Sequence, residues 1–324
     1  MSQVLRSRLG LKITAYLTLK KALGRRFDNE TNVLAHLDRF LVLRRRPALN
    51  SGAFNAWSMT LGHLTPTVRR NRMRIVRIFC LYLRRSDRDQ FVPDPSGFPA
   101  RHVPIRPYIF SEAQIIKLLR VATSLPSWST SLLRAPVFRI AIVLLYTAGL
   151  RRGELVRLVI SDYDAHEQTL LVRRSKFHKS RVVALSTSTA VEMERYLRAR
   201  RRLPHGVDAP LLVSNHGGLT AYSGAAVGVA MHHLFRIADI RTSDGRIPRT
   251  HDLRHTYAVH ALLRWYRAGV DVQAKLPALA IAMGHVSIAS TAYYLALLEP
   301  VAEAASARFA RHSRRIIGAS GGRR

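Results

Sequence analysis

Apolar residues recur at helical spacing through most of the chain. Between residues 67 and 85, Val68, Ile75, Phe79 and Leu83 share one helical face, while Arg70, Arg74 and Arg77 lie on the opposite one. Residues 11–23 and 33–43 also read as helices, so the N-terminal part is expected to be a small helical bundle. Further on, Ser111 followed by Gln114 has the form of a capping box, which predicts a helix start. Residues 136–148 are apolar nearly all round and predict a core helix. Residues 169–173 and 181–185 read as two strands, and the polar residues between them predict a hairpin. Thr189 with Glu192 is expected to open a helix reaching about Arg200. Thr250 precedes a long helix to about Arg267, Gly284 ends another, and Ser287 begins the last, to about Leu298. His232 and His233 read as helix surface, and Trp57 and Trp265 as core. The predicted fold class is mainly α with a small β-hairpin, an α+β arrangement.

Proline punctuates this pattern. Pro93, Pro95, Pro99, Pro104 and Pro107 fall in one stretch with Gly97, and such a segment cannot be a helix interior. It reads as a linker over 93–107, between a helical domain at 1–92 and a second domain at 108–324. The tail from residue 313 ends in GASGGRR and is expected to be frayed.

Charge changes the picture most. Lysine and arginine number 52 against 20 acidic residues, a formal net charge of +32. A charge of that size calls for a polyanion, and nucleic acid is the expected partner because arginine and lysine displace counterions from phosphates. A basic surface that is merely solvated is the bland reading of Arg70, Arg74 and Arg77. The excess charge tips it toward a DNA-contacting face. A membrane surface is the weaker rival, since no basic amphipathic terminus or lipidation signal stands out. The single cysteine, Cys80, allows no disulfide framework. The start, MSQVLRSRLG, lacks the apolar stretch of a secretion signal, and the longest apolar run, 140–146, is far too short to span a bilayer. A soluble, cytoplasmic, nucleoid-associated protein is expected.

Several residues could carry chemistry. Arg151 directly follows the core helix and stands three residues before Glu154, which could orient it. His251 and Arg254, at i and i+3, project from one face at a helix start, where free N–H groups favour a phosphate. His285 follows Gly284 in a turn, and Tyr293 and Tyr294 lie a little further on. From Leu118 to Ala274 the only lysines are Lys176 and Lys179, both in the hairpin of a region that otherwise uses arginine.

Four blocks in this order resemble the catalytic domain of the tyrosine recombinases. They are Thr147-Ala148-Gly149-Leu150-Arg151-Arg152-Gly153-Glu154, the hairpin from Ser175 to Leu185, His251-Asp252-Leu253-Arg254-His255-Thr256, and Met283-Gly284-His285 with Tyr294 nine residues on. The resemblance covers roughly 108–300, and the N-terminal bundle resembles that family's core-binding domain by architecture and charge. Ala184 and Met283 depart from the usual proline and leucine, at positions that do not touch the chemistry.

The resemblance implies a metal-free, ATP-free cleavage and rejoining of DNA through a 3′-phosphotyrosine at Tyr294. Arg151 and Arg254 fork onto the phosphate oxygens. His251 takes the proton of Tyr294, and His285 donates a hydrogen bond to the phosphate. Lys176, ahead of Lys179, protonates the leaving 5′ oxygen, which an arginine is too weak an acid to do. No cofactor and no metal is expected. The implied partners are double-stranded DNA and a homotetramer on two DNA sites, with related recombinases as further candidates. The region after Glu299 is a candidate for docking on a neighbouring protomer. Two rivals remain: a DNA-binding recombinase partner without catalysis, and a zinc hydrolase built on His251 and His255, whose block formally resembles H-E-x-x-H.

Overall fold

The computed structural model describes residues 5–24, 27–46, 48–100, 105–127, 132–173, 180–203, 206, 208–214, 219–285 and 287–297. The chain divides into two compact units, Met1–Ile105 and Arg106–Arg324.

The first unit is helical: α1 (Gly10–Ala22), α2 (Asp28–Leu43), α3 (Ser51–Met59) and α4 (Pro66–Leu83). Pro at the start of α4 suits a first turn, whose N–H groups have no intrahelical partner. Ile13, Leu34, Leu37, Trp57, Val76 and Phe79 form its core. The apolar face expected from Val68 to Leu83 is shorter than its sequence pattern, since burial along α4 begins only at Met73 and Val68 is 42% exposed. The proline-rich segment folds back on this unit. Phe98 is buried in its core, Arg77 donates to the Pro93 carbonyl, and Arg70 donates to the Pro99 carbonyl.

The second unit is built around α6 (Arg134–Thr147), a helix buried from Val137 to Leu145 except at half-buried Arg139. It is packed by α5 (Glu112–Thr123), α8 (Thr187–Arg200) and α10 (Thr250–Arg267). The Ser111 capping box is present in full: the Ser111 side chain accepts from the Gln114 N–H and the Gln114 side chain from the Ser111 N–H. A three-stranded antiparallel sheet runs β1 (Tyr163–Asp164), β2 (Thr169–Val172), β3 (Arg181–Ala184), with Leu171 opposite Val182 and Val172 opposite Arg181. The hairpin is thus present, with one more short strand than its pattern suggested; its tip, residues 174–179, lies outside the described residues. A second pair, β4 (Val213–Ser214) and β5 (Thr220–Ala221), is separate. The helix expected to open at Thr189 starts earlier, capped by Ser186, whose hydroxyl accepts from the Thr189 N–H. Thr189 is instead buried.

The remaining α-helices among the described residues are α7 (Arg152–Leu155), α9 (Gly224–Ile237), α11 (Val272–Met283) and α12 (Ala289–Ala292). The final helix is only a short α-segment, which tightens to a 3-10 turn over Tyr293–Leu297. Tyr294 packs with Val259, Leu262, Leu279 and Met283, so that turn is pinned on α10 and α11. In the first unit Trp57 is fully buried, whereas in the second Trp265 is only partly so, at the edge of the cluster that holds Tyr294. Among the described residues no helix is long and apolar enough to cross a membrane.

Candidate active site

Two tight turns, one after α6 and one after α11, organise the site. Gly149 has φ +59°, and a Cβ there would stand 2.4 Å from Cδ1 of Tyr257, so only glycine fits both the backbone and the packing. Gly284 has φ +65° and terminates α11, and a Cβ on it would lie 2.8 Å from Nη1 of Arg181. Arg254 reaches from α10 between them. It is 1% exposed, donating through Nη2 to the Met283 carbonyl at 2.6 Å and through Nη1 to the Gly149 carbonyl. Burial and the nearby Arg151 charge bring its pKa down to about 10.

Arg151 caps α7 and is only partly exposed. Its Nη1 donates to Glu154 Oε1 at 2.7 Å, its backbone N–H to Oε2 at 2.9 Å, and its Nη2 to the Gly284 carbonyl at 2.8 Å. Glu154 is 3% exposed and also accepts from Arg181 Nη1 at 3.1 Å and Nη2 at 2.9 Å. Burial by itself would raise this carboxyl. The Arg181 hydrogen bonds, the Arg151 N–H and the two guanidinium charges overcome that and hold it at about 2. Arg181 also donates through Nε to the Ala282 carbonyl at 2.8 Å, tying β3 to the end of α11. Neither the Glu154–Arg181 pair nor Arg181 itself was singled out from sequence. The signal was there: Arg181 alternates with buried Val183 on one face of a strand, where an arginine needs a partner.

Tyr294 is 3% exposed and its hydroxyl lies 3.0 Å from Nδ1 of His255, one turn along α10 from His251. His251 was the expected proton acceptor, yet its ring stands beside His255, edge-on at 4.7 Å between centroids, and the hydrogen bond to the phenol is made by His255. The difference is one of depth along a shared face: His251 sits at the start of α10, while His255, four residues on, lies one turn deeper, against Tyr294. His285 stacks on the Tyr294 ring at 6.1 Å and 13°, held by a 2.7 Å hydrogen bond between its Nδ1 and the Thr291 hydroxyl. Desolvation and the Arg254 charge lower His251 and His285 to about 4. Desolvation and His251 lower His255 to about 3, so all three rings are neutral at pH 7. Burial raises the Tyr294 phenol above its usual value, against the opposing pull of Arg254 and Arg151. Tyr293 is 44% exposed, its ring edge-on to that of Tyr294 at 6.0 Å between centroids.

Arg151, Arg254, His251, His285 and Tyr294 therefore gather at one place, with His255, Glu154 and Arg181 joining them. Lys176 and its rival Lys179 lie outside the described residues, although β3, which follows them, is anchored at the site through Arg181. Arg70, Arg74 and Arg77 belong to the other unit. There Arg70 and Arg77 are engaged by carbonyls, while Arg74 is exposed and bonded to Asn71 at 3.1 Å. Among the described residues no group of three His, Cys, Asp or Glu side chains is placed to hold a metal ion.

Residues 111–299 match the Phage integrase family. The chain is 32% identical over 294 residues to a Sinorhizobium fredii protein named as an integrase/recombinase, y4rE, covering 89% of this chain and 91% of the relative. It is 28% identical over 194 residues to the tyrosine recombinase XerA of Pyrococcus horikoshii, covering 57% of this chain and 61% of XerA. Among solved structures, the Tn1549 transposon integrase in complex with transposon right end DNA superposes with a TM-score of 0.61 at 18% identity, covering 92% of this chain and 98% of that one. The XerH recombinase in its post-cleavage complex with difH substrate gives a TM-score of 0.61 at 16% identity, covering 86% and 78%. These likenesses establish the fold, and the matched region spans the hairpin, the turn before Arg151, Arg254 on α10, the turn carrying His285, and Tyr294. The chain belongs to the phage integrase family and is a member of the tyrosine recombinases.

Proposed function

We propose that the protein is a site-specific recombinase that cuts and rejoins double-stranded DNA through a 3′-phosphotyrosyl bond at Tyr294. The observation that carries this reading is the convergence of two guanidiniums, Arg151 and Arg254, on the pocket where the Tyr294 phenol is held. Tyrosine is a poor nucleophile until its proton leaves, and fixed positive charge beside it favours the phenolate. The same charges stabilise the negative charge that develops on a phosphate in the transition state. Both guanidiniums are oriented by carbonyls and a carboxylate before substrate arrives, so little reorganisation is required.

Arg151 and Arg254 take the non-bridging oxygens, with His251 and His285 beside them as hydrogen-bond donors. The Tyr294 oxygen attacks phosphorus, the bond to the 5′ oxygen breaks, and Lys176 gives that oxygen a proton. Reversal by the 5′-hydroxyl of another strand rejoins the DNA, with the phosphotyrosyl bond conserving the energy so that no ATP is consumed. The arginines supply the charge that other nucleases take from a divalent ion, so neither metal nor cofactor enters. The partner is DNA, in keeping with the DNA-bound state of the Tn1549 and XerH neighbours. Assembly is as a homotetramer on two sites, and Arg74 is the α4 side chain best placed to meet a phosphate.

The test uses a nicked duplex made from the DNA flanking the gene, incubated with the protein in EDTA. A covalent protein–DNA adduct is expected. Cleavage that vanishes in EDTA and returns with a divalent ion contradicts the reading.

A further inference from the structure

His255 is the side chain in direct contact with the nucleophilic oxygen. Its Nδ1 lies 3.0 Å from the Tyr294 hydroxyl, within the 2.6–3.2 Å reach a proton acceptor needs. The contact is fixed from both sides. Tyr294 is pinned by the cluster of α10 and α11 and by stacking on His285, and His255 sits in the second turn of α10, one residue after Arg254. Resting on the reaction proposed above, we infer that His255, rather than His251, is the base that takes the Tyr294 proton during strand cleavage and returns it during rejoining.

In the forward step the Tyr294 O–H bond breaks and its proton passes to Nδ1 of His255. The freed oxygen lone pair forms the bond to phosphorus, and the bond from phosphorus to the 5′ oxygen breaks with its electron pair on that oxygen. The leaving oxygen is protonated by the separate acid. In the reverse step a 5′-hydroxyl attacks the phosphotyrosine and gives its proton back to the acid that protonated the leaving oxygen; the bond from phosphorus to the Tyr294 oxygen breaks, and that oxygen recovers the proton from His255. His255 touches the reacting oxygen and is in that sense a catalytic residue. This division gives His251 to the phosphate, near which its place at the exposed start of α10 sets it.

Burial and the nearby arginines set how readily His255 takes a proton. Desolvation is the largest influence and depresses its affinity for a proton in the free protein; the His251 ring, Arg249 at the N-cap, Arg254 and, from the turn after α11, the His285 ring lie close by and add to it. A phosphodiester seated on Arg151 and Arg254 places a negative charge nearby and offsets the part of that depression that the arginines cause. The base is therefore weaker while the site is empty and strengthens when the scissile phosphate arrives.

Two measurements on the full chain test this. The first needs no DNA: nitrogen NMR of the histidine rings in the free protein should show His255 with its proton on Nε2 and Nδ1 accepting. A proton on Nδ1 overturns the inference, because that atom could then accept nothing. The second is single-turnover adduct formation on the nicked duplex by wild type, His255→Ala and His255→Asn, with DNA affinity and thermal melts measured alongside. The asparagine oxygen stands near the Nδ1 position and can hold the hydroxyl without accepting its proton. Both variants should bind DNA normally and form the adduct about 100-fold or more slowly, with a rate that climbs with pH above 7 more steeply than wild type. A wild-type rate in His255→Asn, or in a folded His255→Ala, overturns the inference while leaving the Tyr294 reaction standing. Absence of any adduct in the wild type instead contradicts the reaction itself.

Discussion

Arg181 and Glu154 meet in a two-pronged ion pair, at 3.1 and 2.9 Å, that joins strand β3 to the helix start behind Arg151. Glu154 is thereby shared between two guanidiniums, while the Arg181 Nε grips the chain just before Gly284. Arg151, the hairpin base and the turn carrying His285 are thus fastened at one carboxylate. Glu154→Gln removes the charge and leaves two cations facing each other in a largely buried site. It should cost about 3 kcal/mol of stability and reduce adduct formation well beyond that of a surface Glu167→Gln control. Thermal unfolding and adduct kinetics check this together.

Gly149 supports Arg254 through its carbonyl and leaves room for the Tyr257 ring. Gly149→Ala forces a left-handed backbone on alanine and drives Cβ into that ring. A loss of about 2 kcal/mol or more is expected, with slower cleavage because Arg254 shifts. Gly153→Ala, four residues along in α7, meets nothing closer than 3.4 Å and should be neutral or slightly stabilising. Unfolding of the two variants side by side distinguishes the turn's requirement from a general intolerance of alanine.

The blocks that carry the chemistry were legible because each is short in sequence and fixed by its own local geometry. The Gly284 stop, the Ser111 cap and the hairpin strands follow from rules acting over a few residues. What was not legible is long-range. Nothing near Arg70 or Arg77 announces that the carbonyls of Pro99 and Pro93 engage them, so a face that reads as free for DNA is partly committed to holding the proline-rich segment. The contact between His255 and Tyr294, 39 residues apart, likewise depends on how the last turn packs on α10. His255 was visible only as half of a metal-like histidine pair. Its i+4 spacing from His251 on a helix was the available hint that it reaches the same site one turn deeper.

Arg74 and Arg77 should separate by what they lose. Arg77→Ala forfeits a hydrogen bond to Pro93 and is expected to lower stability by about 1 kcal/mol. Arg74→Ala, at an exposed position, should leave stability unchanged. It should weaken DNA binding and reduce the slope of log affinity against log salt by about 1. Melting curves and a salt titration of binding measure the two effects.

Acidification should destabilise the protein in two stages. The folded His251, His255 and His285 titrate at about 4, 3 and 4, below the usual 6.5, so the unfolded chain binds more protons below pH 6.5. The stability they confer is complete above 6.5 and falls as pH drops toward 4, by about 2 kcal/mol at pH 5 for His255 alone. Glu154, held near 2 instead of 4.5, adds a further loss below pH 4.5. Unfolding followed from pH 7.5 to 4 should show the first stage, and His255→Asn should make it shallower.

The most direct measurement is the location of the covalent bond. Tyr294 is buried among the cationic groups and touches His255, whereas Tyr293 beside it is 44% exposed. A nicked duplex should trap wild type and Tyr293→Phe as adducts in EDTA, while Tyr294→Phe binds the same DNA and forms none. Peptide mapping of the trapped protein should then place the DNA on Tyr294. An adduct mapped to Tyr293, or one that persists in Tyr294→Phe, would contradict the assignment of the nucleophile.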